Sequence, residues 1–391
     1  MSTVEVPKYL TISREIESRI NLGRLGDGKL PSSRQIAEEH GVSIVTASRA
    51  LQILRDKGLI RTVDRSGSYI TRPESPPPTD STTWAMCIRA SPGPWYHASV
   101  AVTRSGFDAL AVRFPGLRID VESLNFPEPP PADELKRRVV SARDAGISGV
   151  FMLPSRRSRE TAREDEVILN AFRTEGMPVV LLERNLRSHA RLLEHDLVSV
   201  DDLGGGFRCT RHLLDSGRKR VAFITGSPTS SHDDRMAGYF SAIHQDSVAS
   251  GRAFAPIVIE EPPDLPRKAA YQELAARVLS EAIDGLVCYQ DYTAIGVIME
   301  LLIRGASVPD DVAITGFDDL PIGNSFAIGV TTYGFPSEAV AREAIRLIQR
   351  RIEEPDAAPI HVSVPGKLIV RESSGSHSEK GSKDRQRKGR R

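Results

Sequence analysis

The polar residues best placed to do chemistry in this 391-residue chain each follow a short apolar run. Trp95 and Tyr96 come after Ala85-Met86-Cys87-Ile88, and Gln290 and Asp291 after Gly285-Leu286-Val287-Cys288. Arg235 comes after Val221-Ala222-Phe223-Ile224, just past His232-Asp233-Asp234; Asp318 and Asp319 come after Val312-Ala313-Ile314-Thr315. Carboxylates, a carboxamide, a guanidinium and aromatic faces suit a polyhydroxylated ligand, because hydroxyls take paired hydrogen bonds and sugar C–H faces stack on rings. Two of these residues also have structural readings. Asp291 precedes a helix expected over 293–304 and reads as its N-cap, and one of Asp318 and Asp319 is expected to cap or turn. His232-Asp233-Asp234 is not read as a metal site, since adjacent residues rarely converge on one ion. No cofactor is expected. No Ser-His-Asp arrangement appears, and the middle of the chain is poor in the lysine that a Schiff-base enzyme needs.

A second set of chemically pointed residues lies in 30–71. Ser32 and Gln35 form a capping box, so a helix begins near Ser33. Gly41 ends it, and Ser43 is placed to cap the next. Ala47, Ala50, Leu51 and Leu54 recur at helical spacing and read as core, leaving Ile44, Val45, Ser48 and Arg49 on the opposite face. Two β-branched apolar residues exposed at a helix start make sense against thymine methyl groups, with Arg49 reaching a guanine edge or a phosphate. The plainer alternative is that Ile44 or Val45 packs on the neighbouring helix. Two short helices around a tight turn, a longer stretch of helix and then a β-hairpin give the order of a winged helix-turn-helix, which sets one helix in a DNA major groove. Charge agrees: residues 1–72 hold 12 Lys/Arg and 8 Asp/Glu, whereas the whole chain is only +1. A basic excess concentrated in one small domain fits a phosphate-binding surface. Arg65 lies near the expected hairpin tip, whereas Arg14, Arg19 and Arg24 read as a solvated helix face.

The elements that must position the first set alternate in kind. Short apolar runs, among them 149–153, 178–182 and 220–224, suit strands buried on both faces of a parallel sheet. Helical stretches such as 204–216, 268–282 and 293–304 separate them, and a last one puts Val340, Ala344, Ile348 and Ile352 on one face. Repeated βα units over about 290 residues imply doubly wound sheets, more than one of them, hence two lobes with a cleft; ligands sit at the carboxyl ends of such strands. The division expected is a DNA-binding domain over 1–72, a proline-rich linker over 73–83, a two-lobed sensing domain over 84–372 and a disordered basic tail over 373–391. That tail either adds non-specific DNA affinity or only solubilises. Cys87, Cys209 and Cys288 lack ligand spacing and read as reduced, packed residues. No apolar run approaches a membrane span, and the N-terminus has no signal pattern, so a cytoplasmic protein is expected.

Both halves resemble known families. Leu30-Pro31-Ser32-Ser33-Arg34, Gly41-Val42-Ser43 and a hairpin ending Gly67-Ser68-Tyr69-Ile70 look like the GntR-type winged helix, in which the arginine matching Arg34 contacts DNA and the wing glycine matching Gly67 approaches the backbone. The run Val42–Leu51 is instead similar to the recognition helix of lactose- and galactose-repressor type proteins. There the positions of Ile44 and Val45 set base specificity, and those of Ser43, Thr46, Ser48 and Arg49 belong to the same DNA-contacting run. The linker lacks the helix-forming hinge of that family. Residues 201–206, 212–224, 235–238, 290–296, 308–319 and Thr331-Thr332 resemble, in order, the effector domain related to type I periplasmic sugar-binding proteins. Carried over by position, Arg235, Gln290 and Asp318 stand where that family binds ligand, with Gln290 replacing the usual asparagine; Trp95 falls in a first-lobe loop where the match is weaker.

The resemblance implies an α/β architecture: an N-terminal winged helix-turn-helix plus a two-lobed, doubly wound, type I periplasmic-binding-protein-like effector domain. That combination is the arrangement of arabinose-repressor type regulators. It implies a homodimer on double-stranded DNA at an inverted repeat, a sugar-like effector in the inter-lobe cleft and no membrane partner. Two rivals remain. A small-molecule-binding protein without DNA activity leaves 30–71 unexplained, and a winged helix fused to an enzyme needs the missing lysine context.

Overall fold

The computed structural model describes residues 7–21, 30–56, 60–63, 67–70, 82–89, 94–114, 116–126, 128–155, 159–186, 193–226, 229–251 and 253–375. The chain divides into two units, Met1–Pro76 and Pro77–Arg391.

The first unit is helical with a hairpin: α1 (Lys8–Asn21), α2 (Ser33–Glu39), α3 (Ile44–Asp56), β1 (Ile60–Val63) and β2 (Gly67–Ile70). The capping box at Ser32 forms as the sequence implies, with Gln35 N donating to Ser32 Oγ and Ser32 N to Gln35 Oε1. Gly41 stops α2 in the left-handed region, at φ +59°, a conformation that costs glycine little. The second short helix and the longer stretch after it are one unbroken helix, α3. Ile12, Ile16, Leu30, Ile36, Ala47, Ala50, Leu51, Leu54 and Ile60 make the core. Ala47 and Ala50 are fully buried, and their small side chains let α1 and α2 approach α3 closely. The hairpin pairs Ile60 with Ile70 and Val63 with Gly67. Leu30 N donates to Ser68 O at 2.8 Å, tying the wing to the start of α2.

The second unit contains two six-stranded sheets. The first lobe is built from β3 (Thr82–Ile88), α4 (Pro94–Arg113), β4 (Leu117–Asp120), α5 (Ala132–Asp144), β5 (Ile147–Leu153), α6 (Arg159–Thr174), β6 (Val179–Leu182) and β7 (Asp196–Val200). The second lobe follows with α7 (Asp202–Asp215), β8 (Val221–Thr225), α8 (Ser230–Ser250), β9 (Ile257–Glu260), α9 (Arg267–Ser280) and β10 (Gly285–Cys288). It continues with α10 (Asp291–Ile303), β11 (Ala313–Asp318), α11 (Pro321–Ser325) and β12 (Thr331–Gly334). The chain then returns to the first lobe for α12 (Ser337–Glu353) and β13 (His361–Val364), and crosses back for β14 (Lys367–Ile369) and a 3-10 turn at Glu372–Ser374.

Strand order is β13-β7-β6-β5-β3-β4 in the first lobe and β14-β12-β11-β10-β8-β9 in the second. Every pair is parallel except β12 with β14. The first sheet is covered on both faces. Phe107 and Leu110 of α4 and Val340, Ala344 and Ile348 of α12 lie on one; Leu135, Val139, Ile168 and Phe172 of α5 and α6 lie on the other. Such burial explains why the strands read as continuous apolar runs. In each sheet the order reverses at a switch point, between β3 and β5 and between β8 and β10, where a crevice opens at the carboxyl ends.

Three expected boundaries move. Thr82 and Thr83, placed in the linker, are the first residues of β3; the rest of 71–81 lies outside the described residues. Ser373 and Ser374, placed in the disordered tail, are buried. Ser373 Oγ donates to Ile314 O and accepts from Thr331 N, so these residues close the second lobe; 376–391 lie outside the described residues. Trp95, placed in a loop, lies in the first turn of α4, and its side chain is outside the described part.

Candidate functional site

In the first unit, the α3 N-terminus is the chemically distinctive surface. Ser43 Oγ accepts from Thr46 N at 3.1 Å and shares a hydrogen bond with Thr46 Oγ1 at 2.9 Å, capping the helix. Ile44 is 51 % exposed and Val45 77 % exposed, so neither packs on the neighbouring helix. Ser48 is half-buried, and Arg34 on α2 is exposed. Arg49 is exposed too, with its guanidinium 4.4 Å above the Tyr9 ring of α1. Gly67 opens β2 opposite Val63; Arg65 lies outside the described residues. Arg19 is occupied by Glu15 and Glu39 on its own surface, as a solvated face requires. An apolar pair flanked by hydroxyls and an arginine at a helix start can meet base edges, with the helix dipole and Arg49 favouring phosphate.

In the second unit, Arg235, Tyr289 and Asp318 meet where β8, β10 and β11 end. Arg235 sits in the second turn of α8, whose N-terminus Thr229 caps by accepting from His232 N. Close helix packing fixes its place. A Cβ on Gly206 of α7 would fall 1.9 Å from the Arg235 carbonyl oxygen, and one on Gly238 would fall 2.1 Å from Leu203 O, so glycine at both is what lets α7 and α8 touch. The guanidinium is buried and fully engaged. Nε donates to Asp202 Oδ1 at 2.7 Å, Nη1 to Tyr289 O at 2.5 Å and Nη2 to Asp318 Oδ1 at 3.0 Å, and Phe317 lies 4.4 Å beneath it. Burial alone would lower the Arg235 pKa; Asp202 and Asp318 more than offset it and keep the group charged. Burial pushes Asp202 up to about 7 against the pull of Arg235.

Asp318 and Asp319 both adopt left-handed backbone, at φ +93° and +49°, which aspartate tolerates better than most residues. Their roles separate: Asp318 faces Arg235, while Asp319 is structural, bonded to Arg371 at 2.6 Å. Gln290 is buried, and its Nε2 donates to Tyr289 Oη at 3.1 Å and Thr293 Oγ1 at 3.4 Å. Tyr289 also carries the His232 ring, 4.6 Å away between centroids.

Asp291 is not the expected N-cap. The helix starts at Asp291 itself, with Gln290 at the cap position and no side-chain cap bond. Asp291 instead turns inward: Oδ2 accepts from Leu320 N at 2.8 Å, supporting the turn after Asp319, and Oδ1 has no hydrogen-bond partner among the described residues. Burial raises its pKa well above the carboxylate range. All three cysteines are buried and unpaired, and burial pushes the Cys87 and Cys209 thiols to about 12. Among the described residues no three His, Cys, Asp or Glu side chains are grouped to hold a metal, and no helix is long and apolar enough to cross a membrane.

Sequence reasoning missed Arg184. It follows β6 in the first lobe, its residue is 2 % exposed, and Nε and Nη1 have no hydrogen-bond partner among the described residues. Its ion-pair neighbour is Glu183, 3.9 Å from Nη2. Next to it, Asn185 N donates to Ser230 Oγ at the start of α8, so this strand end touches the other lobe. Buried guanidinium N–H groups without acceptors are costly, and in native proteins they signal an absent partner. The available signal was a Glu183-Arg184 charged pair following the apolar run 179–182. Arg89, directly after β3, differs: Asp165, Glu164 and Phe126 O occupy it.

Comparison with known proteins defines the class. The model for bacterial regulatory proteins of the gntR family matches residues 8–70, and that for the periplasmic binding protein-like domain matches 210–374. The chain joins these two domains and is a ligand-responsive DNA-binding transcriptional regulator, not an enzyme. A similar curated protein is the arabinose metabolism transcriptional repressor of Geobacillus stearothermophilus, 26 % identical over 379 residues, covering 96 % of this chain and 99 % of the relative. Among solved structures, the regulator CelR in complex with cellobiose shares the fold, with TM-score 0.57 and 20 % identity, covering 88 % of this chain and 100 % of the other. So does a LacI family regulator from Enterococcus faecium with bound ribose, with TM-score 0.55 and 18 % identity over 74 % and 98 %.

Proposed function

We propose that this regulator is a repressor that binds an inverted-repeat operator as a homodimer and is controlled by a sugar held between the two lobes of its second unit. The effector reading is supported by complementary groups at strand ends of the two lobes, which touch at the Asn185–Ser230 bond. Asp318 and Gln290 offer oxygen acceptors from the second lobe. Arg184 offers unspent N–H donors from the first, one residue from the Asn185–Ser230 bond that joins the lobes. A ligand rich in hydroxyls satisfies both, and closing the lobes on it shifts the population of closed forms in proportion to its differential affinity. The relatives named for arabinose metabolism or holding ribose and cellobiose support a carbohydrate. Arg235 acts here mainly by holding Asp318 in place.

The homodimer reading is supported by α10, which exposes Met299, Leu302 and Ile303 on one face, with Ile322 of α11 also exposed. Four large apolar side chains in open water are what an interface covers. Two copies would set two α3 helices on successive half-sites. The Ile44–Val45 pair supports an operator with thymines under the helix start. A mobility shift with DNA from immediately upstream of this protein's own gene tests the reading, beside a thermal-shift screen of pentoses, hexoses, their acids and their phosphates. A shifted band that a stabilising sugar changes is the expected result. No band at low salt, with or without sugars, refutes the regulator's self-operator, and an unchanged thermal response in Asp318→Ala refutes the pocket.

A further inference from the structure

The carboxamide of Gln290 is held by a network whose hydrogen-bond direction is forced. Glu261 follows β9, and its Oε2 accepts from Tyr289 Oη at 2.7 Å and from Thr293 Oγ1 at 3.1 Å. A carboxylate only accepts, and each hydroxyl has one proton to give. The Tyr289 proton is therefore spent on Glu261 at 2.7 Å and its oxygen is left able only to accept; Thr293, which also neighbours Tyr271 and Tyr289, gives Glu261 the longer bond. The Gln290 atom that approaches these two hydroxyls, at 3.1 and 3.4 Å, must be the nitrogen. Its two N–H groups are used inside the lobe, and Oε1 alone remains without a partner among the described residues.

We propose that Glu261 sets the polarity of Gln290, so that at this point the cleft presents an acceptor only and reads a ligand hydroxyl that donates. This rests on the reading of the cleft as the effector site. Glu261 need not touch the ligand: it is a positioning residue, acting through two hydroxyls. Together with Asp318, whose Oδ1 is taken by Arg235, the second lobe offers acceptors, and a ligand there must supply protons.

Glu261→Gln reverses the arrangement without changing shape. Arg267 Nη1 lies 3.8 Å from Glu261 Oε1, so the new carboxamide places its oxygen toward that cation and its NH2 toward the hydroxyls. Their protons then turn to Gln290, whose amide rotates and points N–H groups at the cleft.

Two measurements test this. The first needs no ligand: exchange of the Gln290 side-chain amide protons in the 15N-glutamine-labelled full chain, assigned by their loss in Gln290→Glu. Wild-type protons are expected to exchange at least tenfold more slowly than those of surface glutamines, and Glu261→Gln is expected to remove that protection. Protection unchanged in Glu261→Gln overturns the proposal. The second titrates L-arabinose, D-ribose and cellobiose by calorimetry, then the monodeoxyfluoro analogues of whichever binds, which lose one donor each. Wild-type protein is expected to reject one analogue at least tenfold, and Glu261→Gln to cut that ratio at least fivefold. Equal weakening of parent and analogue marks a merely structural role and overturns it. If none of the three sugars binds while the exchange result holds, the sugar reading fails and the polarity assignment stands.

Discussion

Replacing Arg235 by methionine keeps the length of the side chain and removes its charge. The structure then leaves Asp202 and Asp318 facing one another with no cation between them, and removes the donor to Tyr289 O. Taking one partner from a buried pair costs about 3–5 kcal/mol, because the remaining charge is buried and uncompensated. For a unit of this size that lowers the thermal midpoint by on the order of 10 °C. The cost must depend on pH, and its sign follows from Asp202. Burial already pushes that carboxyl up to about 7 with Arg235 present, and losing the arginine pushes it further. A carboxyl whose folded pKa lies above its unfolded value holds a proton that the unfolded chain releases, so stability falls as pH rises above the unfolded value. Below about pH 7 Asp202 holds its proton in both proteins, so the deficit of Arg235→Met should be nearly flat from about pH 5 to about pH 7 and grow above that, by at most about 1.4 kcal/mol per pH unit. Urea unfolding of Arg235→Met, and of Arg235→Met with Asp202→Asn, from about pH 5 to about pH 9 measures it; the second change should recover part of the loss above about pH 7. A deficit under about 1 kcal/mol at pH 7.5, far below the range for a broken buried pair, would refute the reasoning. So would a loss that does not vary with pH.

Four further outcomes are expected. Changing Ile44 and Val45 should alter which operator is selected, with each mismatched base pair costing about 1–3 kcal/mol, as read by binding selection from random DNA; Arg34→Ala should weaken all sequences alike and reduce the salt slope by about 1. Gly206→Ala drives a methyl into the Arg235 carbonyl, 1.9 Å away, and should destabilise by about 1–3 kcal/mol in urea despite alanine's better helix propensity. Asp291→Asn replaces a carboxyl that burial holds protonated, so the variant should gain on wild type as pH rises from 5 to 8 and lose that gain toward pH 4; a Tm difference flat with pH contradicts it. Met299→Lys with Ile303→Lys should shift sedimentation toward the monomer.

The sequence was most legible where burial is two-sided. Runs such as 149–153 and 285–288 announce themselves because no residue in them faces water. Asp196–Val200 escaped notice because Asp196 is a strand residue that looks like a loop residue; its carboxylate is buried against Arg351 and Ile360 N, partners that lie over 150 positions away. The strands β4, β12, β13 and β14 are short or mixed in polarity and take their identity from neighbours. In the helix-turn-helix, caps and core spacing are local, so Ser32, Gly41 and the Ala47–Leu54 face were readable directly. The cleft was readable only in part. Arg235, Gln290 and Asp318 sit in motifs, but the role of Arg235 depends on Asp202, and Asp291 looked like a cap because its inward turn depends on Leu320 N. Arg184 belongs to no motif, and its significance is the absence of partners, which only three dimensions reveal.

The three passages of the chain between lobes, after Val200, after Gly334 and after Val364, bear on how the molecule is made. As the second unit leaves the ribosome, β3 to β7 appear first, yet one face of their sheet has only α4 on it until α12 is complete at residue 353. The second lobe is nearly complete by then and lacks only β14 and the turn at Glu372–Ser374. The half synthesised first thus finishes late, and both halves wait for residues 337–374. A ribosome stalled at Gly334 should hold a nascent chain whose opening sheet has one face covered by α4 alone, a natural client for chaperones.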